Sequence, residues 1–292
     1  MPSLRDIRRR IRGIRNTAQI TRAMELVAAS RMRRAQQRVL AARPYAEAMR
    51  AFIAELAAAG AGQGADQLHP LLEQREVDTV GIILLTTDRG LCGALNTNTI
   101  RRASELILEQ THEVELLTIG RKGQEFMARR GYTIMATVTG LGDRPTYEQV
   151  IPIARNVMES FVARRMDVCY LVYPEFVSTL TQRPKVQRIL PIAPEPGAAP
   201  VKRVDYIFEP DPQSILEELL PRYVEVLIYE AILEMKASEQ SARMVAMRNA
   251  NQNAQDLISD LTLLYNKTRQ AAITREVTEI ASAAEFMAAQ SR

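Results

Sequence analysis

From residue 222 to residue 292 the chain contains neither proline nor glycine. Helices of ordinary globular domains run ~8–20 residues. One helix of ~70 residues would be ~105 Å long at ~1.5 Å per residue, far too long for a compact core. The stretch has a readable apolar seam. Ala250, Ala254, Leu257, Leu261, Leu264, Thr268 and Ala271 alternate in steps of four and three, and Ile273, Val277, Ile280, Ala284 and Met287 resume the rhythm one strip over. That spacing buries one stripe against a partner helix. A core helix would be apolar all round, whereas this segment carries Glu, Asp, Arg, Asn and Gln on its other faces. The expectation is a coiled-coil helix over 211–288.

A second long helix is predicted over residues 1–59. Ser3 caps it, and Asp6 sits where the helix dipole favours a carboxylate. Ile7, Ile11, Ile14, Ala18 and Thr21 form a seam, and Ala28, Met32, Ala35, Val39 and Ala42 carry a similar one onward. Pro44 is the one breaker, expected to kink the helix or mark a junction. Gly60, Gly62 and Gly64 end it. Residues 1–50 hold thirteen arginines against Asp6, Glu25 and Glu47. The formal net charge of the whole chain is only +4, and residues 213–292 are mildly acidic. Part of the basic charge therefore has a partner within the chain. An Arg-rich amphipathic N-terminus also fits a transit peptide, a nucleic-acid binder or an anionic membrane surface. The helical pattern runs on for some fifty residues without a cleavage-like break, which favours a solvated face beside an acidic partner helix.

Two cysteines, Cys92 and Cys169, and two histidines, His69 and His112, make neither a disulfide framework nor a metal set. No apolar run approaches the ~18–20 residues of a membrane span.

Residues 65–210 read as an α/β domain. Residues 77–86 are a continuous apolar run rich in β-branched side chains, as in a buried parallel strand. Further strands are expected at 113–119, 132–138, 168–173, 186–192 and 201–208. Helices are expected at 96–109, 122–130 and 147–165, and a Pro/Gly-rich turn at 194–200. The alternation implies a largely parallel, Rossmann-like sheet. Its first strand-to-helix loop, residues 86–93 (TTDRGLCG), occupies the phosphate-binding position of many such folds. It matches neither GxGxxG nor GxxxxGK[ST]. Cys92 is a conceivable nucleophile, but no histidine is near it in sequence, and a structural turn is the better reading. No carboxylate pair or triad suggests a catalytic residue, and no cofactor or metal is expected.

The first helix enters this domain near residue 59 and the second leaves it near 211, so they must be antiparallel if they pair. Facing residues would then sum to roughly 270. Arg31, Arg33, Arg34, Arg38, Arg43 and Arg50 would fall opposite Glu217, Glu218, Glu225, Glu230, Glu234 and Glu239, each exposed pair contributing ~0.2–1 kcal/mol. The first helix runs out opposite about residue 267. From about 268 the second would continue as a single helix whose apolar strip marks a partner surface. The fold expected is α/β plus a long antiparallel coiled coil, a rod on a central domain.

Several segments resemble one family, the γ subunit of F-type ATP synthases of bacterial type. They are residues 14–17 (IRNT), 20–30 (ITRAMELVAAS), 43–45 (RPY), 88–96 (DRGLCGALN), Asp205-Tyr206 with Glu209-Pro210, 239–247 (EQSARMVAM) and 264–276 (LYNKTRQAAITRE). The resemblance spans the whole chain in order. It implies a non-catalytic central shaft inside a ring of three α and three β subunits, with a foot on the ε subunit and the c ring. Proton-driven turning of that ring would force each β site through successive states. The resemblance further implies a peripheral protein on the cytoplasmic face of the bacterial membrane. The redox-regulated chloroplast form carries an inserted cysteine pair that this chain lacks, so thiol regulation is not expected. By resemblance, Met24 and Arg243 lie beside an acidic β loop, Gln270, Thr274 and Glu276 make polar contacts with the sleeve, and Tyr206 belongs to the foot.

The alternatives are a basic coiled-coil nucleic-acid-binding protein and an α/β enzyme with helical arms. The first would need aromatic stacking groups that residues 1–40 lack. The second would need a phosphate loop or acid/base pair.

Overall fold

The computed structural model describes residues 3–60, 69–192 and 212–290. The strand expected at 201–208, the turn at 194–200 and Tyr206 lie outside these. The chain divides into two compact units, Met1–Val27 with Met244–Arg292, and Ala28–Arg243.

Helix α1 spans Leu4–Gly60. Asp6 accepts from Ser3 Oγ (2.7 Å), and the Asp6 amide donates back to that hydroxyl (3.2 Å), closing the first turn. Positions 7, 11, 14, 18, 21, 25, 28, 32, 35, 39, 42, 46, 49 and 53 are all buried or half-buried, in unbroken steps of four and three. The two expected seams are thus one, joined through Glu25. Pro44 lies inside the helix, exposed between the seam residues Ala42 and Ala46. An outward-facing ring leaves the packed stripe intact.

Between the long helices lie β1 (Thr79–Leu85), α2 (Leu95–Glu109), β2 (Glu113–Ile119), α3 (Arg121–Arg129), β3 (Ile134–Val138), α4 (Ile151–Val162), β4 (Val168–Phe176) and β5 (Gln182–Leu190). The strand order is β3-β2-β1-β4-β5. β1 pairs in parallel with β2 and β4, and β2 with β3, whereas β5 is antiparallel to β4. Only residues 177–181 separate β4 from β5. That is enough for a hairpin but far short of the dozen or so residues a parallel crossover needs.

Both faces of the central strands are covered, which explains their uninterrupted apolar sequence. On one face Ile83, Leu117, Leu171 and Tyr173 pack with Phe161 of α4 and with Leu220, Val224, Ile228 and Ile232. On the other, Ile82, Leu84, Leu116 and Val172 meet Ile100, Ala103 and Leu106 of α2 and Met127 of α3. Truncating one of these fully buried residues, such as Leu171→Ala, costs about 2–5 kcal/mol.

Helix α5 spans Pro212–Gln290. Between residues 230 and 241 it is more enclosed than a two-helix seam requires. Every residue from 230 to 241 is buried, including Glu230, Glu234, Lys236 and Glu239. A segment that reads as amphipathic is here a core helix: Glu230, Lys236 and Glu239 are paired rather than hydrated, and Glu234 is buried with one carboxylate oxygen lacking a hydrogen-bond partner. Arg50 pairs with Glu230, and Glu239 with Lys236 (3.5 Å) and Arg243 (2.8 Å). Arg50 and Glu230 lie ten residues off the expected sum, and the expected arginine–glutamate ladder is redistributed. Arg31 pairs with Asp143 (2.7 Å), Glu218 with Arg222 (3.6 Å), and Glu225 accepts from the Tyr147 hydroxyl.

In the other unit the helices are antiparallel. Arg8 donates to the Tyr265 hydroxyl (2.5 Å) and Arg248 to Glu25 (3.0 Å), so seventeen residues forward on α1 are seventeen back on α5. The register lies three residues from the expected sum. From residue 244 onward the buried or half-buried positions of α5 are 244–247, 250, 251, 254, 258, 261, 265, 268 and 272. Ala271 is exposed, whereas Ala250, Ala254, Leu261 and Thr268 are buried or half-buried as expected. Leu257 and Leu264 are not: they are 50% and 42% exposed, and Ile258 and Tyr265 take those positions.

Candidate partner-contact surface

The loop after β1 is the place where an open α/β sheet takes a ligand, because the strand order reverses there. Here the chain fills it with its own groups. Asp88 accepts from the Arg121 amide at the start of α3 (3.1 Å) and from the Gly140 amide (3.1 Å). A helix N-terminus attracts anions through its free amides, and this one already holds a carboxylate. Thr86 Oγ1 accepts from the Gly123 amide (2.8 Å). Gly120, at φ 95°, lets the loops close, since a Cβ there would lie 2.0 Å from the Thr86 carbonyl oxygen. Asn96 ties α2 back to the loop, accepting from the Thr87 amide (3.1 Å) and donating to its hydroxyl (2.8 Å). Cys92 is buried, and that burial pushes its thiol above the ordinary range. It is packed as a small apolar group rather than poised as a thiolate.

Arg243 closes this loop from α5. Its side chain is 11% exposed, donates to the Gly90 carbonyl (3.3 Å) and pairs with Glu239 (2.8 Å). It is therefore not a solvated charge but a brace between α5 and the β1–α2 loop.

In the unit Met1–Val27 with Met244–Arg292, the polar centre is Glu25. It is 5% exposed and sits in the apolar seam. Arg248 (3.0 Å) and Arg22 (2.9 Å) both donate to it, and the Arg248 bond is the main reason its carboxyl titrates below the usual range. Sequence reading missed Glu25, although the four-three spacing between Thr21 and Ala28 passes through it. Met24, its neighbour, is half-buried.

The same unit exposes an unusual amount of apolar side chain. Ile20, Leu26 and Val27 on α1 are at least half exposed. On α5, Leu263, Ile273, Val277 and Ile280 are 72%, 48%, 60% and 70% exposed, and every residue from 273 to 284 is exposed. Gln270, Thr274 and Glu276 are exposed on this segment. Gln270 and Thr274, one turn apart, share a face, whereas Glu276, two residues on, lies on another. Thr274 also accepts from Thr278 Oγ1 through its carbonyl (2.8 Å). Contiguous apolar surface rimmed by polar groups is the mark of a protein partner. Among the described residues no helix is long and apolar enough to cross a membrane.

Comparison with known proteins agrees along the whole length. A family described as ATP synthase matches residues 3–287. The ATP synthase gamma chain of Roseiflexus sp. (strain RS-1) is 52% identical over 292 residues, covering 99% of both chains. That of Chloroflexus aurantiacus (strain ATCC 29366 / DSM 635 / J-10-fl) is 50% identical, covering 97% of this chain and 98% of the relative. Among solved structures, a chain of the Euglena gracilis mitochondrial ATP synthase (OSCP/F1/c-ring, rotational state 3) superposes with a TM-score of 0.68 at 20% identity. It covers 99% of this chain and 96% of the other. A chain of the Tetrahymena thermophila mitochondrial ATP synthase central stalk/c-ring gives 0.60 at 23% identity, covering 79% of this chain and 99% of the other. At these identities the two structures speak to the fold.

Proposed function

The chain belongs to the ATP synthase gamma chain family, and we propose that it is the central shaft of a rotary ATP synthase, turned by the c ring and transmitting torque to the catalytic subunits. It makes no bond. Its partners are three α and three β subunits around the helices, with ε and the c ring at the foot. It is peripheral, on the cytoplasmic face of a bacterial membrane. The observation that carries this reading is the segment 273–284 of α5. It is a helix exposed on every side, with Ile273, Val277 and Ile280 bare. Such a helix is stable in isolation only marginally, so a surrounding sleeve is what gives it a reason to be apolar. Met24, Gln270, Thr274 and Glu276 are assigned to that sleeve, and Tyr206 to the foot. Arg243 is assigned a position beside an acidic β loop, acting through the Gly90 loop that it braces.

Affinity capture of the tagged chain from its own membranes, followed by native mass spectrometry, tests the reading. Recovery of three α, three β and one copy of this chain is expected. Recovery of nucleic acid, or of the chain alone at physiological salt, would overturn it.

A further inference from the structure

Where α5 reaches the end of the unit Ala28–Arg243, its buried side chains change character. Just before that end, apolar contact holds the helix: Ile232 lies in the core of the sheet, and Leu233 and Ala237 meet Ala35 and Val39 of α1. The next turn is polar. Ser238 and Ser241 are fully buried, and Gln240 is 3% exposed. Ser238 Oγ donates to the Pro174 carbonyl near the end of β4 (3.0 Å), and Ser241 Oγ to the Thr179 carbonyl in the turn that follows (2.7 Å). The Gln240 amide donates to Asp143 in the β3–α4 connection (3.2 Å), and Arg31 of α1 pairs with the same carboxylate (2.7 Å). Arg243 completes the turn through its bond to the Gly90 carbonyl (3.3 Å).

These bonds grip the helix from two sides. At ~100° per residue, Ser238 and Ser241 point one way, and Gln240 and Arg243 point about 160° away from them. The end of β4 and its turn hold the first side, and the β1–α2 and β3–α4 loops hold the second. Apolar contact is non-directional, so an apolar stripe resists turning of a helix about its own axis only through shape. A hydrogen bond weakens steeply once donor and acceptor misalign, and bonds on opposite sides cannot all survive such a turn. Buried hydroxyls and amides add little net stability over apolar groups of the same shape. What they add here is a fixed rotational setting, at the last turn before α5 leaves the unit.

We propose that Ser238, Gln240 and Ser241, with Asp143, form a torsional clamp that fixes α5 against rotation about its own axis. They are positioning residues, and the proposal rests on the shaft reading, since such a clamp matters where a helix carries torque. The test uses the assembled complex, with the catalytic ring immobilised and a probe attached at the foot. The probe's angular fluctuations during a nucleotide-held pause report the torsional stiffness of the chain. Ser238→Ala with Ser241→Ala removes one side of the grip, and Asp143→Ala weakens the other. Each should lower the stiffness, by up to about twofold because the bonds of the opposite side remain. The circular dichroism spectrum and the recovery of the catalytic ring should not change. The Asp143 side chain is 45% exposed, so its removal leaves the core intact. Asp143→Asn keeps an acceptor for Gln240 and should keep the stiffness. Unaltered stiffness in both loosened variants, or an equal loss with Asp143→Asn and Asp143→Ala, would overturn the clamp and leave the shaft reading standing. Failure of the unaltered chain to recover the catalytic ring would overturn both.

Discussion

Two buried glutamates give this chain opposite responses to pH. Glu234 is buried beside Glu230, and burial first, then that neighbouring charge, raises its carboxyl from 4.5 to about 7. Lys185 and Arg43 only partly oppose this. Its stabilising contribution is therefore full below pH 4.5 and lost as pH rises through about 7. Glu234→Gln should flatten that fall, gaining on the order of 3 kcal/mol at pH 8 relative to pH 4. Calorimetric melting at the two pH values checks it. Glu25 has the reverse sign, because Arg248 and Arg22 hold its carboxyl low. Its contribution is present at neutral pH and lost as pH falls below the ordinary carboxylate range. Arg248→Ala should destabilise by about 1–3 kcal/mol at pH 7 and by progressively less as acid protonates Glu25. A loss that does not change with pH would show that Arg248 acts by packing alone. Neither glutamate was legible as buried from its type. Glu25 was legible from its place in the heptad rhythm; Glu234, amid pairings that depend on β4, β5 and α1, was not.

The long helices were legible as elements because breakers are absent and the spacing is regular over many turns. What the spacing could not say is which partner each stretch meets. Over 244–272 α5 follows a heptad seam, and over 230–241 the same helix is buried all round. The sequence looks amphipathic in both places, and only the sheet face beneath the second explains its fully buried charges. Removing residues 270–292 should leave the melting of the unit Ala28–Arg243 unchanged while ATP hydrolysis and rotation uncouple. Loss of the sheet's circular dichroism on that truncation would sink the idea of an independent tip. The β1–α2 loop read as structural rather than phosphate-binding, and the geometry supplies the reason in Asp88. Asp88→Ala frees the first amide of α3 and should cost about 1 kcal/mol, up to 2, measurable by urea unfolding.

At the scale of the whole molecule, two units share two continuous helices, and a single strand alternation sits in one of them. The parallel strands were legible from apolar runs alternating with helices. The antiparallel turn of β5 was not: the strands expected at 168–173 and 186–192 leave room for a crossover, and only their extension to Phe176 and back to Gln182 shortens the link to residues 177–181. Charge was the more deceptive cue. The arginines of α1 matched a row of glutamates on paper, yet Arg31 turned to Asp143 and Glu239 to its own helix. Charge pairs follow the nearest geometry, and helical register supplies only one of the candidates. A triple substitution of Ile273, Val277 and Ile280 by serine should leave the isolated chain's melting within about 0.5 kcal/mol and reduce recovery of the catalytic ring on affinity capture.

That bare segment has a further consequence for how the chain can vary. Most side chains answer to the fold that contains them: alter Leu171, and the molecule that suffers is the one that carries the change. Ile273, Val277 and Ile280 answer to a different polypeptide. A survey of substitutions scored by folding would find them silent, and a survey scored by growth would find them constrained. The difference between the two maps would trace the outline of the absent partner, written in residues that this chain has no use for alone.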